Sequence, residues 1–166
     1  PRWNKFLQGY YDRSGISADS FDQAIKIDKN GNPVLTEELA KKGIRLQTTI
    51  SPAVYYMGFN FLDEVIGGSS ERARKLRQAI SIALDYEEYI SIFMNGRGVV
   101  AHSPIPPGIF GYKEGKEGLN PYVFSWSNHK VKRRSLKEAK QLMKEAGYEN
   151  GIDPKTQQLL ILNYDA

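Results

Sequence analysis

Chemistry in a chain without cysteine must come from histidines, carboxylates, hydroxyls, amides and cations. This 166-residue sequence has no Cys, only two His, 19 acidic and 23 basic residues. Thiolate nucleophiles, disulfides and Cys-ligated zinc are therefore absent. His102 and His129 each lack a His, Asp or Glu at i+3 or i+4, so neither begins a metal-ligand pair of helical spacing. Asp63, Glu64, Glu87 and Glu88 are the acids that would serve as general acid and base, but their positions read as solvated carboxylates at helix starts. Gly96-Arg97-Gly98 lacks the third glycine and following helix of a dinucleotide loop, and no Gly-Lys-Ser/Thr follows anywhere. These patterns imply no catalytic residue, no metal and no cofactor.

Two further groups of residues suit binding. Lys130, Lys132, Arg133, Arg134, Lys137, Lys140 and Lys144 form a basic stripe with Glu138 as its acid, and Trp126 lies just before it. Phosphate or single-stranded nucleic acid would use such cations with stacking aromatics, but a solvated helix face with its approach loop accounts for the stripe. Nucleic acid is not an expected partner. Asn60 is the lone amide in the otherwise apolar run Ala53 to Phe61. It must find hydrogen-bond partners, either by pinning a neighbouring loop or by presenting its amide to a ligand. Asn60 is accordingly the candidate substrate-binding residue.

The elements that must position these residues follow from periodicity. Glu71 to Ala83 is helical: counted from Leu76, the residues Ala73, Leu76, Ala79, Ile80, Ala83 and Leu84 fall in an arc about 140° wide. Ser69 or Ser70 caps it, and its Arg and Lys residues are read as solvent-facing. Asp85 marks a junction to a second helix carrying Tyr86, Tyr89, Ile90, Phe93 and Met94, stopped by Asn95-Gly96-Arg97-Gly98. Ser135 and Glu138 form a capping box for a helix with Leu136, Ala139, Leu142, Met143 and Ala146 on its apolar face and Gly147 at its end.

Ile44, Leu46, Thr48 and Ile50 alternate with polar residues as in a half-buried strand, Ala53 to Phe61 reads as a covered strand, and Val99 to Ala101 and Leu159 to Ala166 as further short ones. Before residue 43 the chain reads as short helices and turns. They are Trp3 to Leu7, Ala18 to Ile25 capped by Ser17, a tight turn over Asp28 to Pro33, and a short helix from Thr36 to Gly43. From Gly108 to Arg134 a long loop needs its aromatics docked to stay ordered. Length and an ordinary composition, 40% hydrophobic and 25% charged, predict one domain over residues 1 to 166. No apolar stretch approaches the length of a membrane span. The first and last residues read as mid-element, as in a piece of a longer protein.

Tyr56-Met57-Gly58-Phe59-Asn60-Phe61, Lys75 through Ile90, Asn95-Gly96-Arg97-Gly98 and Pro104-Ile105-Pro106-Pro107-Gly108-Ile109-Phe110-Gly111-Tyr112 follow one another in this order. Ala139 through Tyr148 and Asp153-Pro154-Lys155-Thr156 complete the set. From about residue 44 to 166 the chain thereby resembles the family 5 extracellular solute-binding proteins of ABC importers, the peptide, dipeptide and nickel type. The turn Thr156-Gln157-Gln158 lacks the glycine common there. The resemblance implies an α/β fold, a small mixed sheet flanked by helices, forming part of the C-terminal lobe of a two-lobed periplasmic-binding-protein type II-like fold. It implies a monomeric, non-enzymatic protein of the periplasm or cell surface that binds peptides or similar solutes and delivers them to an ABC importer membrane permease. A ligand-sensing domain of a transcription regulator built on the same lobe is the alternative. Most ligand contacts are then expected outside these residues.

Overall fold

The computed structural model describes residues 2–30 and 32–164; Pro1, Gly31, Asp165 and Ala166 lie outside the described residues. The chain divides into two compact units, Pro1–Ser51 with Glu87–Val99, and Pro52–Tyr86 with Val100–Ala166.

The first unit is built on α1 (Arg2–Leu7), α2 (Phe21–Ala24), the hairpin β1 (Ile25–Ile27) and β2 (Pro33–Leu35), and α3 (Glu37–Lys41). Trp3, Phe21, Ala24, Ile25 and Leu39 form its core, with Phe6 stacked on Trp3 at 5.5 Å. Two features differ from the expectations for this region. The helix expected over Ala18 to Ile25 is a single turn of 3-10 helix followed by α2, because Ile25 leaves the helix to pair with Leu35. Ser17 does not cap it; its hydroxyl donates to Ser20 Oγ. The expected tight turn is present around Asp28, whose Oδ1 accepts from the N–H groups of Asn30 and Asn32, both at 2.8 Å. Its Gly31 is one of the residues not described. This Asx geometry is what closes the hairpin.

Also in this unit, the end of α5 (Tyr86–Phe93) is stopped as expected: Gly96, at φ +69°, donates to Ile90 O at 2.9 Å. Arg97 braces that turn. Its Nη1 donates to Ile16 O at 2.9 Å, its Nε to Met94 O at 3.2 Å, and its guanidinium lies 5.2 Å from the Phe21 ring centroid.

The second unit packs α4 (Glu71–Ala83) against α6 (Leu136–Glu145), beside the hairpin β3 (Phe124–Ser127) and β4 (Lys130–Arg133). Ser70 caps α4 by accepting from Ala73 N–H at 3.2 Å. The buried face of α4 is Ala73, Leu76, Ala79 and Ile82. Ala83, inside the expected arc, is exposed, because Ala139 of α6 packs on Ala79 and Ile82 instead. Both halves of the α6 capping box are present, with Ser135 N–H donating to Glu138 Oε2 at 2.8 Å. Gly147 at φ +82° ends the helix, and Tyr148 N–H closes a Schellman bond to Met143 O at 2.8 Å. Tyr148, Leu76 and Ala146 make the adjoining core cluster.

The fold class is mixed α/β, and its sheet content is two separate two-stranded antiparallel hairpins. The strands expected at 44–50, 53–61 and 99–101 carry no ladder, and the last segment forms only an Ile152–Leu159 bridge. Its expected terminal residues Asp165 and Ala166 lie outside the described residues. The physical reason is the backbone. From residue 45 to 59 no N–H or C=O bonds another main-chain group among the described residues, and a period-two pattern sets side-chain direction without supplying a neighbour. Conversely, β3 and β4 arise inside the expected loop. Asn128 and His129 both take positive φ, 49° and 60°, making the two-residue turn a tight hairpin requires.

That loop is only partly docked. Phe124 is buried with His102 edge-on at 4.8 Å, and Trp126 packs over Gly115, whereas Phe110 and Tyr122 are exposed. Its anchor is Arg134, which donates to Pro121 O at 3.0 and 3.1 Å and pairs with Glu138 at 2.8 Å.

Candidate functional site

Asn60 ends the unpaired segment and begins a tightly wound loop that leads into α4. Its side-chain oxygen accepts from Leu62 N–H at 3.0 Å, and its main-chain oxygen from Asp63 N–H at 3.2 Å. Asp63 then repeats the device, accepting from Val65 and Ile66 N–H at 2.8 and 2.9 Å. Those two N–H groups, Ile66 first, hold its carboxyl below the usual aspartate range. Gly67 and Gly68 close the loop by donating to Asp63 O and Phe61 O, each at 2.9 Å. A Cβ at Gly67 would collide with both of those carbonyl oxygens, so only glycine fits.

One side chain of α4 locks this loop to the helix. Arg77 Nη1 donates to Ile66 O at 2.5 Å and to Gly68 O at 2.9 Å, and its guanidinium lies 4.4 Å from the Phe61 ring centroid. Arg77 was expected to face solvent. It instead satisfies two carbonyls of the loop from the flank of the apolar arc. Lys75 likewise departs from that expectation, bridging Glu71 and Glu145 at 3.1 Å each and so tying α4 to α6. The cue was the position of both residues on the flank of the arc and, for Arg77, the preceding loop whose carbonyls need donors.

The result is an exposed Asn60 whose oxygen is committed to its own turn. Among the described residues its amide nitrogen meets no acceptor, so a ligand carbonyl or carboxylate is what it would receive. Asn60 does not line the open depression of about 390 Å³ formed by Ser103, Ile105, Lys113, Glu117 and Asn120.

The remaining candidates are placed apart from one another. Asp63 is used within its turn, His102 packs on Phe124, and His129 sits at an exposed hairpin tip against Trp126. Among the described residues no three His, Asp or Glu side chains gather where a metal ion would sit. Three cations of the basic stripe are committed within the chain: Arg133 to Leu84 O at 2.6 Å and to Asp85, Arg134 to Glu138, and Lys144 to Glu149 at 2.7 Å. Lys130, Lys132, Lys137 and Lys140 are exposed. Among the described residues no helix is long and apolar enough to cross a membrane.

With this geometry in place, comparison with known proteins identifies the class. The profile of bacterial extracellular solute-binding proteins, family 5 Middle, matches residues 1–166, and the chain belongs to that family. The match includes the first 43 residues, which carried no family signal of their own. Among curated proteins, the heme-binding protein A of Haemophilus influenzae is 34% identical over 79 residues, 48% of this chain and 12% of that protein. The oligopeptide-binding protein AppA of Bacillus subtilis is 27% identical over 130 residues, 77% of this chain and 21% of its own length. The chain thus spans between about one eighth and one fifth of these relatives. No solved structure matches it.

Proposed function

We propose that the chain is part of the substrate-binding component of an ABC importer, a binding protein rather than an enzyme. In this reading the longer protein takes a peptide or similar solute between two lobes, in the periplasm or at the cell surface, and delivers it as a monomer to the membrane permease. The observation that carries the proposal is the family match along all 166 residues, together with the alignment of 77% of the chain to an oligopeptide-binding protein. A two-lobed binder closes over its ligand, so that binding energy drives a domain rotation a transporter can sense. Asn60 contributes one side of that clamp through its amide nitrogen. Residues 1–166 form a single structural section of the C-terminal lobe, and the remaining contacts lie in other parts of the protein.

The test is a thermal-shift screen of the longer protein against di- to pentapeptides, with haem included because one relative is named for it. A ligand at 100 times its Kd stabilises by about 2.7 kcal/mol, which moves the midpoint by several degrees. Asn60→Ala then lowers the affinity of the hit. The 166-residue chain alone binds no peptide at micromolar concentration, because half the clamp is missing. Absence of any peptide shift refutes the peptide assignment, and micromolar binding by the isolated chain refutes the two-lobe argument.

A further inference from the structure

Arg72, the second residue of α4, differs from three of the other arginines of its unit, the fourth, Arg74, being exposed. Arg77, Arg133 and Arg134 each donate to main-chain oxygens. Arg72 donates to none and has no ion pair among the described residues. Its guanidinium lies over the ring of Tyr148, 4.5 Å from the centroid, and Tyr148 is only 2% exposed, fixed in the cluster with Leu76 and Ala146. Its Nε is buried with no acceptor. The two Nη groups are not enclosed in this way, and the residue as a whole is half-buried.

The acids on the neighbouring elements are already matched. Glu71 and Glu145 share Lys75, and Glu149 holds Lys144. Among the described residues, the surroundings of Arg72 therefore supply a stacked, immobilised cation without the carboxylate such a cation ordinarily carries. Guanidinium stacked on an aromatic face has little rotamer freedom left to lose, and its paired Nη–H groups fit the two oxygens of a carboxylate.

We propose that Arg72 is a receiving site for a carboxylate group, held end-on by Nη1–H and Nη2–H above the Tyr148 ring. The site is separate from Asn60 and does not depend on the importer reading. The carboxylate comes either from a free small anion or from an acidic side chain of a protein segment, and the chemistry at Arg72 is the same.

The experiment follows the Arg72 Nε–Hε and Tyr148 ring resonances by NMR while the 166-residue chain is titrated with sodium acetate. Parallel titrations use a terminally blocked Gly-Glu-Gly peptide, its Gly-Gln-Gly counterpart, and sodium chloride at equal ionic strength. The expected result is a saturable shift with acetate or the Glu peptide, half complete below about 50 mM, and none with chloride or the Gln peptide. A half-saturation at least tenfold lower for the Glu peptide assigns the protein-borne source, and similar values assign the free anion. Arg72→Gln abolishes the Tyr148 shift, and Arg72→Lys, which keeps the charge but loses the fork, weakens it at least fivefold. Tyr148→Phe, which keeps the stack, leaves it within twofold. Failure of both carboxylates to saturate overturns the proposal. So does an equal response to chloride, or a Tyr148 shift that survives in a folded Arg72→Gln variant.

Discussion

Replacing Arg77 by Ala isolates the clamp that fastens the Asn60–Gly68 loop to α4. Three contacts are lost. The bond to Ile66 O is partly buried, and with a charged donor it is worth about 2 kcal/mol. The bond to Gly68 O is exposed, so water replaces it and the loss is about 0.5 kcal/mol. The contact with Phe61, itself 59% exposed, adds about 0.5 kcal/mol. The sum, about 3 kcal/mol, corresponds at this chain length to a fall of about 6–12 °C in Tm. Urea unfolding measures the loss directly. Hydrogen exchange locates it, because the Gly67 and Gly68 amides that donate to Asp63 and Phe61 must lose protection before those of α6 do. Arg77→Lys keeps the charge and one donor direction and recovers less than half of the loss. A loss below about 1 kcal/mol in Arg77→Ala, with unaltered exchange at Gly67 and Gly68, would refute the clamp.

Ser135→Ala removes the hydroxyl half of the α6 capping box and costs about 1 kcal/mol, read by urea unfolding, with increased exchange confined to the first turn of α6. Gln157 sits at φ +57°, a backbone region that favours glycine, so Gln157→Gly raises stability by about 0.5–1 kcal/mol despite losing the Gln157 bond to Pro154 O. The carboxyls of Asp63, Glu138 and Glu145 are all held below their ordinary values. The causes are the Ile66 and Val65 N–H groups, then the Ser135 N–H with Arg134, then Gln141 with Lys75. Folded values below unfolded ones mean that their contribution is complete above the unfolded range, begins to fall there and is lost as pH falls through the lower folded values. The urea midpoint therefore declines from about pH 5 downward. A midpoint that is flat or rising between pH 5 and pH 3 contradicts this.

The helices were legible because their signals are local. Ser70, the Ser135–Glu138 pair and Gly147 each act within four residues of the backbone groups they satisfy, and the break near Asp85 follows from the neighbouring periodicities. Strands were legible only as side-chain patterns. Ile44 and Leu46 do turn toward the first core, yet the segment has no ladder, since pairing depends on what lies alongside. The β3–β4 hairpin was missed because its turn uses Asn128 and His129 in place of an Asn-Gly pair, which marks positive φ far more clearly. At the site, Asn60 stood out by polarity alone. Arg77 did not, because an arginine beside an apolar arc looks the same whether it reaches a carbonyl or water, and Arg72, inside the arc at the first turn of the helix, looks the same whether it reaches a tyrosine ring or solvent.

The first unit is discontinuous in sequence. Residues 1–51 reach their partners in 87–99 only after the chain has passed through 52–86, and Arg97 and Asn95 then donate to Ile16 O and Ala18 O across about eighty residues. Such contacts close late, because the loop entropy between their ends must be overcome first. A nascent chain that has emerged only as far as α4 holds residues 1–51 without the bracing turn, exposed to proteases and holdases until α5 follows. Synthesis toward the carboxyl terminus thus gives this unit a defined interval of vulnerability, ending when Arg97 emerges.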